Sequence, residues 1–385
     1  MRPPPVPPEL SAHWALDPAV DYLNHGSFGA TPREVLAAQA RWRDEMEREP
    51  VDFHARRLPG LMEAARQRLA RWLGADPLGL VAVPNATTGV ATVLNALRWE
   101  PGDEVLLADC TYNAVRQAVR ALGDRWGVKM VEVALPLDTH AGMIAAYSAG
   151  FSPRTRLVIV DHIVSPTAVI LPVEAIVAEA RARGVPVLVD GAHGPGMLPL
   201  QLDALGADFY TGNLHKWLCA PKGAAILHFS AAWRDRVHPL AISHGYGGGL
   251  AAEFDWTGTG DPTPWLAATA ALDFFEVFGF AAVRAHNHAL VRRGRELIAD
   301  ALGVELPHPD DPAYYGSMAA IPVPWAEPAT PARLAELNTA MFAQHRIEVP
   351  FSGYAGRAFV RISGQLYNRP EQYQRLAEVL RTWRG

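Results

Sequence analysis

Hydrophobic residues in the middle of the chain form short runs without polar alternation, and segments with helical spacing separate these runs. Two such helical segments are 112–123, which closes on a glycine, and 172–184, which begins with proline and ends with glycine. Apolar strands that alternate with helices predict a mostly parallel sheet with both faces covered. The predicted strands are 104–109, 129–135, 156–163, 185–193, 207–213 and 224–229.

Helical patterns dominate both sides of this central region. We therefore expect an α/β protein in which a mostly parallel sheet, of the seven-stranded type, is joined to a smaller α+β C-terminal domain. The predicted division is a Pro-rich N-terminal arm at 1–20, a large α/β domain at 21–258 and a small domain at 259–385. The other predicted elements are helices at 31–47, 59–74, 85–97, 331–345 and 370–383, long helical periodicity over 263–302, and strands at 317–323 and 358–363.

Composition narrows the class of protein. The chain has 385 residues, of which 49% are hydrophobic and 19% charged, as in a globular protein with more than one core. A net charge of −5 gives no attraction to nucleic acid or anionic lipid, and no apolar run reaches the roughly 20 residues of a membrane span. The N-terminus lacks the apolar region of a signal peptide, and two cysteines cannot form a disulfide framework. We expect a cytoplasmic protein without a membrane or nucleic-acid partner, and predict no metal site.

Polar residues follow the predicted strands. Parallel sheets bind ligands at the carboxyl ends of their strands, where Asp109, Asp161, Asp190 and Thr211 are expected. Lys216, one of three lysines, comes just after a buried strand and between His215 and Trp217. Desolvation there would favour a neutral amine able to form a Schiff base, although a surface lysine is the alternative.

Asp190 is a carboxylate at the end of an otherwise apolar strand, so its burial requires a partner. A protonated ring nitrogen would suit it, and a structural salt bridge is the alternative. His193, three residues later, could donate a hydrogen bond to a bound ligand, but by itself it is more often structural. Arg361 is a charge on an apolar strand and is suited to a substrate carboxylate.

A threonine-rich helix start offers Ala86, Thr87 and Thr88 to a phosphate group, though ordinary helix capping explains such a start equally well. Tyr112, at the sheet edge, could stack on a planar ring or simply belong to the core.

Taken together, these segments resemble the class V aminotransferase group of fold type I enzymes that depend on pyridoxal 5′-phosphate (PLP), and within it the isopenicillin N epimerase-like branch. The similarity extends from about residue 20 to the C-terminus, and its longest and most specific block surrounds Lys216. The matching segments are YLNHGSFGATP (22–32), NATTG (85–89), SPTAVILPV (165–173), VDGAHGPGMLPL (189–200), GADFYTGNLHKWLCAPKGAAIL (206–227), DWTGTGD (255–261) and VRISGQLYN (360–368).

The resemblance implies a role for each matching residue. Lys216 corresponds to the Schiff-base lysine, Asp190 to the partner of the pyridine nitrogen, and His193 to the contact of the phenolic oxygen. Arg361 corresponds to the arginine that binds the substrate carboxylate, and Tyr112 to a ring-stacking aromatic. The other implied positions are Thr87, Thr88 and His215 at the phosphate, Thr257 or Thr259 completing that site from a neighbouring subunit of a homodimer, and Asn24 and His25 at the substrate pocket.

Members of the group share removal of the Cα proton of an amino acid and then diverge. An epimerase or racemase is the reaction expected first, and a C–S lyase acting by β-elimination is the alternative. The stretch before Arg361, at 349–363, lacks the cysteine that persulfide-forming desulfurases need. Aminotransfer, or a PLP-fold binding protein without activity, are further alternatives; the second is disfavoured because Lys216, Asp190 and Arg361 are all retained.

Overall fold

The computed structural model describes residues 8–385. Of the predicted arm, residues 1–7 lie outside the described residues. Pro8–His13 form a short 3-10 helix instead of an extended segment. Trp14 directly follows this helix, is buried, and donates its indole N–H to the Ala30 carbonyl at 3.1 Å, which fixes this segment against the body of the protein.

The elements follow the order expected from the hydrophobic pattern. The strands are β1 (Asp21–Tyr22), β2 (Leu80–Val83), β3 (Glu104–Ala108), β4 (Lys129–Val133), β5 (Thr155–Asp161), β6 (Val187–Asp190), β7 (Phe209–Asn213), β8 (Ala225–Phe229), β9 (Met318–Pro322), β10 (Ile347–Glu348), β11 (Phe351–Tyr354) and β12 (Arg357–Ser363). The α-helices are α1 (His25–Phe28), α2 (Arg33–Arg48), α3 (Leu58–Leu73), α4 (Ala86–Ala96), α5 (Asn113–Trp126), α6 (His140–Gly150), α7 (Val173–Ala182), α8 (Leu202–Leu205), α9 (Leu250–Phe254), α10 (Thr263–Phe278), α11 (Phe280–Leu302), α12 (Pro331–His345) and α13 (Pro370–Thr382).

Seven strands form the central sheet, in the order β2-β8-β7-β6-β5-β3-β4. The strands from β7 to β4 are parallel, while β8 runs antiparallel to both of its neighbours. This confirms the predicted fold, an α/β architecture of fold type I with a mostly parallel seven-stranded sheet. The sequence pattern missed β2, because four apolar residues beside a helix give no periodicity, and it missed α6.

A second, antiparallel sheet has the order β11-β12-β9 and lies with α11, α12 and α13 around its own hydrophobic core. The N-terminal strand β1 pairs with β10 of this region, and Leu23 is buried in the same core. The N-terminal segment therefore packs with the C-terminal elements. The boundaries proposed for the three domains stay predictions.

The long helical stretch after residue 262 is two helices. They part at Gly279, whose positive φ of 76° ends α10, and their axes differ by 78°. Within residues 8–385 no single helix is long and apolar enough to cross a membrane, and only this bent pair together reaches that length and composition.

Candidate active site

Two carboxylates stand side by side at the carboxyl edge of the central sheet. Asp161 ends β5 and Asp190 ends β6, and the two residues are in register on adjacent parallel strands. Both are buried. Burial, and for Asp161 also the neighbouring Asp190, raises the pKa of each carboxyl group. Asp161 Oδ2 has no hydrogen-bond partner within the described structure. A cationic ligand at this edge would relieve the cost of two buried acids.

Lys216 lies in the turn that follows β7. Its carbonyl accepts hydrogen bonds from the Cys219 amide at 3.0 Å and from His25 Nε2 at 2.9 Å, so the backbone of the lysine is fixed from two sides. Desolvation and then the charge of Arg361 lower the pKa of the Lys216 amine to about 7, against an opposite effect of Asp190. A large fraction of the amine is therefore neutral at neutral pH, as a nucleophile or base requires.

His193 lies between this lysine and the core. Its Nε2 is 3.2 Å from Lys216 Nζ, and its Nδ1 accepts the indole N–H of Trp217 at 3.2 Å. Burial, and then the charge of Lys216, lower the pKa of His193 well below its usual value. The structure thus brings Lys216, Asp190 and His193 to one sheet edge, as the sequence predicts.

The proposed phosphate turn opens α4. Asn85 caps the helix by accepting the Thr88 amide at 2.8 Å, and the Ala86 amide donates to Asn213 Oδ1 at 2.9 Å. These two amides are therefore engaged within the protein, and Thr87 is the exposed residue of the turn. His215 has a buried Nδ1 without a hydrogen-bond partner in the described structure, so its ring is available to an acceptor at this edge.

Arg361 is a buried arginine without a carboxylate partner in the described part of the chain. It is 5% exposed, and its guanidinium donates to neutral oxygens only. Desolvation lowers its pKa to about 10, and its Nε has no partner among the described residues. An uncompensated buried cation costs several kcal/mol, so this position favours an anionic ligand. The acceptors are the Ser165 carbonyl and hydroxyl, Ser27 Oγ and Asn24 Oδ1.

A cleft of about 490 Å³ opens beside Arg361. Tyr112, which is half exposed, lines one wall, and residues 352–356 of the β11–β12 hairpin line another. Tyr354 on this hairpin donates its hydroxyl to Asp109 at 2.9 Å and thereby holds the hairpin against the end of β3. The cleft is large enough for a ligand of several heavy atoms and contains both polar and aromatic contacts.

Of the predicted site residues, Tyr112 and Arg361 line this cleft, whereas Lys216, Asp190 and His193 lie at the sheet edge and do not line it. Asn24 contacts Arg361, but His25 is fully buried, with one ring nitrogen at Tyr367 Oη (2.7 Å) and the other at the Lys216 carbonyl. His25 therefore stabilises the turn that contains Lys216 and does not line the cleft. Thr257 and Thr259 are exposed between α9 and α10 and do not line the cleft.

Sequence reasoning missed three contributions to the site. Asp161 was noticed at a strand end but given no role, although its position beside Asp190 follows from the parallel pairing of β5 and β6. Trp217 is adjacent to the lysine, but its bond to His193 depends on the turn geometry. Ser165 and Ser27, which bind Arg361, lie far from it in sequence and carried no signal.

These groups fit PLP. A buried acid pair that forms no ion pair with the described residues suits a protonated pyridine nitrogen, a desolvated lysine suits an aldehyde, and a helix start with exposed Thr87 suits a phosphate. The fold and the site together define a PLP-dependent enzyme of fold type I.

Comparison with known proteins gives the family. The family model "Aminotransferase class-V" matches residues 29–376. Isopenicillin N epimerase from Streptomyces clavuligerus is 37% identical, over 97% of both chains, and a probable chloroplastic L-cysteine desulfhydrase from Arabidopsis thaliana is 32% identical over 97% of this chain and 84% of the relative. The chain belongs to the class V aminotransferase family, and its PLP dependence is thereby confirmed.

A solved structure shows the same architecture. The cystine C–S lyase C-DES with its product cysteine persulfide superimposes with a TM-score of 0.78, at 26% identity, over 94% of this chain and 98% of that chain. A variant of the same lyase, with glycine covalently linked to its PLP cofactor, has a TM-score of 0.79. Relatives thus include both epimerases and C–S lyases.

Proposed function

We propose that the protein epimerises the Cα of an amino-acid substrate with a free carboxylate. The observation that carries removal of the Cα proton, the step shared with the alternatives, is the pairing of a buried cation without a counter-ion among the described residues, Arg361, with a desolvated amine, Lys216, close enough for the first to lower the pKa of the second. A carboxylate bound at Arg361 would place the adjacent Cα–H near that amine. Two isopenicillin N epimerases at 37% and 35% identity support the choice of reaction.

The chain's own residues divide the work. PLP supplies an electron sink for a carbanion at Cα. Asp190 keeps a cationic ring nitrogen paired, Arg361 orients the substrate through its carboxylate, and Lys216 takes the Cα proton as a neutral amine. Desolvation of Lys216 serves the last step, because it raises the neutral fraction at neutral pH.

Epimerisation also needs an acid on the opposite face of the substrate. Tyr112 and His25 are the two candidates considered for this acid. His25 is buried with both ring nitrogens engaged, and burial lowers its pKa to about 3, so the ring stays neutral and its one N–H is held by the Lys216 carbonyl. Tyr112 lines the cleft together with Arg361 and is close enough to act on the charge of Arg361, so we assign it the second acid.

The second candidate function is β-elimination without a persulfide, supported by L-cysteine desulfhydrases at 30–33% identity. A persulfide enzyme is disfavoured. Cys110 lines the cleft, but burial and the neighbouring Asp161 and Asp109 raise its pKa well above the usual value and keep it a thiol. Cys219 is fully buried and its pKa is raised in the same way.

Incubation of the holoenzyme with a panel of L- and D-amino acids in deuterated water tests the proposal. Epimerisation gives Cα deuteration with inversion and no keto acid, whereas elimination gives keto acid and ammonia. Tyr112→Phe should slow inversion by about 10²-fold while Cα exchange on one face continues. Keto acid release at the rate of Cα exchange, or inversion unaffected in Tyr112→Phe, would contradict epimerisation by this route.

We also propose a homodimer with shared sites. Thr257 and Thr259 are exposed on the segment between α9 and α10. Ion pairs hold both ends of this segment, from Asp255 to Arg66 (2.5 Å) and from Asp261 to Arg43 (3.1 Å). If each loop completes the partner's phosphate site, mixing Lys216→Ala with Thr257→Ala/Thr259→Ala protein should restore activity that neither has alone. A monomer by light scattering with full activity would refute the homodimer.

The cytoplasmic location of the protein stays a prediction.

A further inference from the structure

The residue after the Schiff-base lysine makes an unexpected contact. Trp217 is 3% exposed, and its indole Nε1 lies 3.2 Å from His193 Nδ1. An indole nitrogen is a donor only, so the imidazole nitrogen that it faces must be the acceptor. Nδ1 of His193 therefore carries no proton.

This fixes the other side of the ring. A neutral imidazole has one proton, and with Nδ1 acting as acceptor that proton is on Nε2. Nε2 is then a donor, and the atom 3.2 Å from it is Lys216 Nζ. An ammonium cannot accept a hydrogen bond, so this contact is satisfied only when the lysine is a neutral amine that turns its lone pair to the histidine.

We propose that Trp217 is a positioning residue that holds His193 in its Nε2–H tautomer and thereby holds Lys216 as a neutral amine. Trp217 touches neither lysine amine nor substrate itself; it acts through the histidine. Trp217 lies in a tight turn, in which the Lys216 carbonyl accepts the Cys219 amide at 3.0 Å.

The electrostatic surroundings of His193 do not explain its Nε2–H tautomer. The charged or titratable groups that act on His193 all disfavour a second proton on it, and burial does the same. Of these groups only Lys216 contacts a ring nitrogen, and as an ammonium donor it would favour the opposite tautomer, so the indole contact is the one that selects Nε2–H. These groups are Lys216, Arg361, His25 and His215.

The inference rests on the proposed role of Lys216, but its first test needs neither substrate nor turnover. Histidine labelled with ¹⁵N is incorporated, and His193 is assigned among the 14 histidines by its absence in His193→Gln. We expect a pyridine-type signal for Nδ1 and a pyrrole-type signal for Nε2, in the enzyme as purified and after cofactor removal. A pyrrole-type Nδ1 in the wild-type protein would overturn the proposal, whichever reaction the enzyme catalyses.

Trp217→Phe removes the N–H and keeps a buried aromatic ring. We expect the two His193 signals to move toward each other as both tautomers become populated. Condensation of the Lys216 amine with PLP, which releases water, should slow by several-fold up to about tenfold at neutral pH, the factor that one hydrogen bond carries. Unchanged signals in a folded Trp217→Phe protein would overturn the proposal.

The chain offers a matched control. Trp14 is also 3% exposed and also donates its indole N–H, in this case to the Ala30 carbonyl at 3.1 Å. Trp14→Phe therefore removes a comparable buried hydrogen bond without touching His193. It should leave the His193 signals and the PLP condensation rate at wild-type values; an equal effect of both variants would mean that general loosening, and not the tautomer, is responsible. If Trp217→Phe does not fold, the wild-type spectrum still decides the tautomer.

Discussion

Two buried arginines in this protein have opposite surroundings. Arg66, on α3, is 2% exposed and pairs with Glu63 and Asp255. Arg361, on β12, is 5% exposed and, among the described residues, donates only to neutral oxygens. Both charges have lost most of their water, but only the first has its charge matched by the protein itself. The comparison teaches that burial alone does not mark a functional cation; burial without a counter-ion does.

Two lysines of this region differ in another respect, the group that the amine contacts. Lys222 Nζ donates to the Gly29 carbonyl at 3.1 Å and Thr31 Oγ1 at 3.4 Å, whereas the Lys216 amine contacts an imidazole nitrogen. Lys216→Ala should lower turnover by about 10⁴-fold and abolish borohydride-fixable PLP. Lys222→Ala should keep borohydride-fixable cofactor. Steady-state turnover and mass spectrometry after reduction check both, and retained turnover in Lys216→Ala would remove the lysine from the mechanism.

Replacement of Asp190 is expected to have the next largest effect on turnover. Asp190→Ala leaves the ring nitrogen without its anionic partner, and turnover should fall by about 10²–10³-fold even when PLP is saturating. Turnover and PLP affinity are measured separately, because a role in cofactor binding alone would be corrected by excess PLP. Wild-type turnover at saturating PLP would contradict the assignment.

Replacing each arginine by methionine tests the difference between Arg66 and Arg361 directly. Arg361→Met should raise KM for amino acids by about 10–100-fold, because a charged hydrogen bond to the carboxylate is lost, without loss of stability. Arg66→Met leaves the partly buried Asp255 unpaired and should lower the free energy of unfolding by about 2–4 kcal/mol. Its KM should stay close to wild type. Denaturant unfolding and initial rates on both variants provide the check. A destabilised Arg361→Met together with a raised KM in Arg66→Met would contradict the roles assigned to the two arginines.

The acid pair predicts a pH effect on the cofactor-free protein. The folded pKa values of Asp161 and Asp190 are raised, so as pH rises above about 4 the unfolded chain releases protons that the folded protein keeps. Their contribution to stability therefore falls with rising pH until the raised pKa values are passed. In Asp161→Asn the free energy of unfolding should fall less with rising pH, by more than about 1 kcal/mol over this range, as measured by unfolding at several pH values. An unchanged dependence of the free energy of unfolding on pH would show that the pair does not share a proton.

Much of the fold followed from the sequence because the central strands are buried on both faces. Their apolar runs, such as 156–163 and 185–193, leave no polar alternation, and parallel pairing then places Asp161 and Asp190 at one edge. The helical stretch 263–302 was less informative, since periodicity continues across Gly279 although the chain turns there.

Local patterns and strand polarity were enough to predict the parallel strands of the sheet, the lysine that follows β7 and the carboxylate that ends β6. The protonation and charge compensation of these groups depended on the tertiary structure. His25 became a buried support of the lysine turn, Arg361 was left without a counter-ion, and Trp217 met His193. Protonation, tautomer and charge compensation depend on desolvation and on contacts between residues far apart in the chain, which no local pattern records.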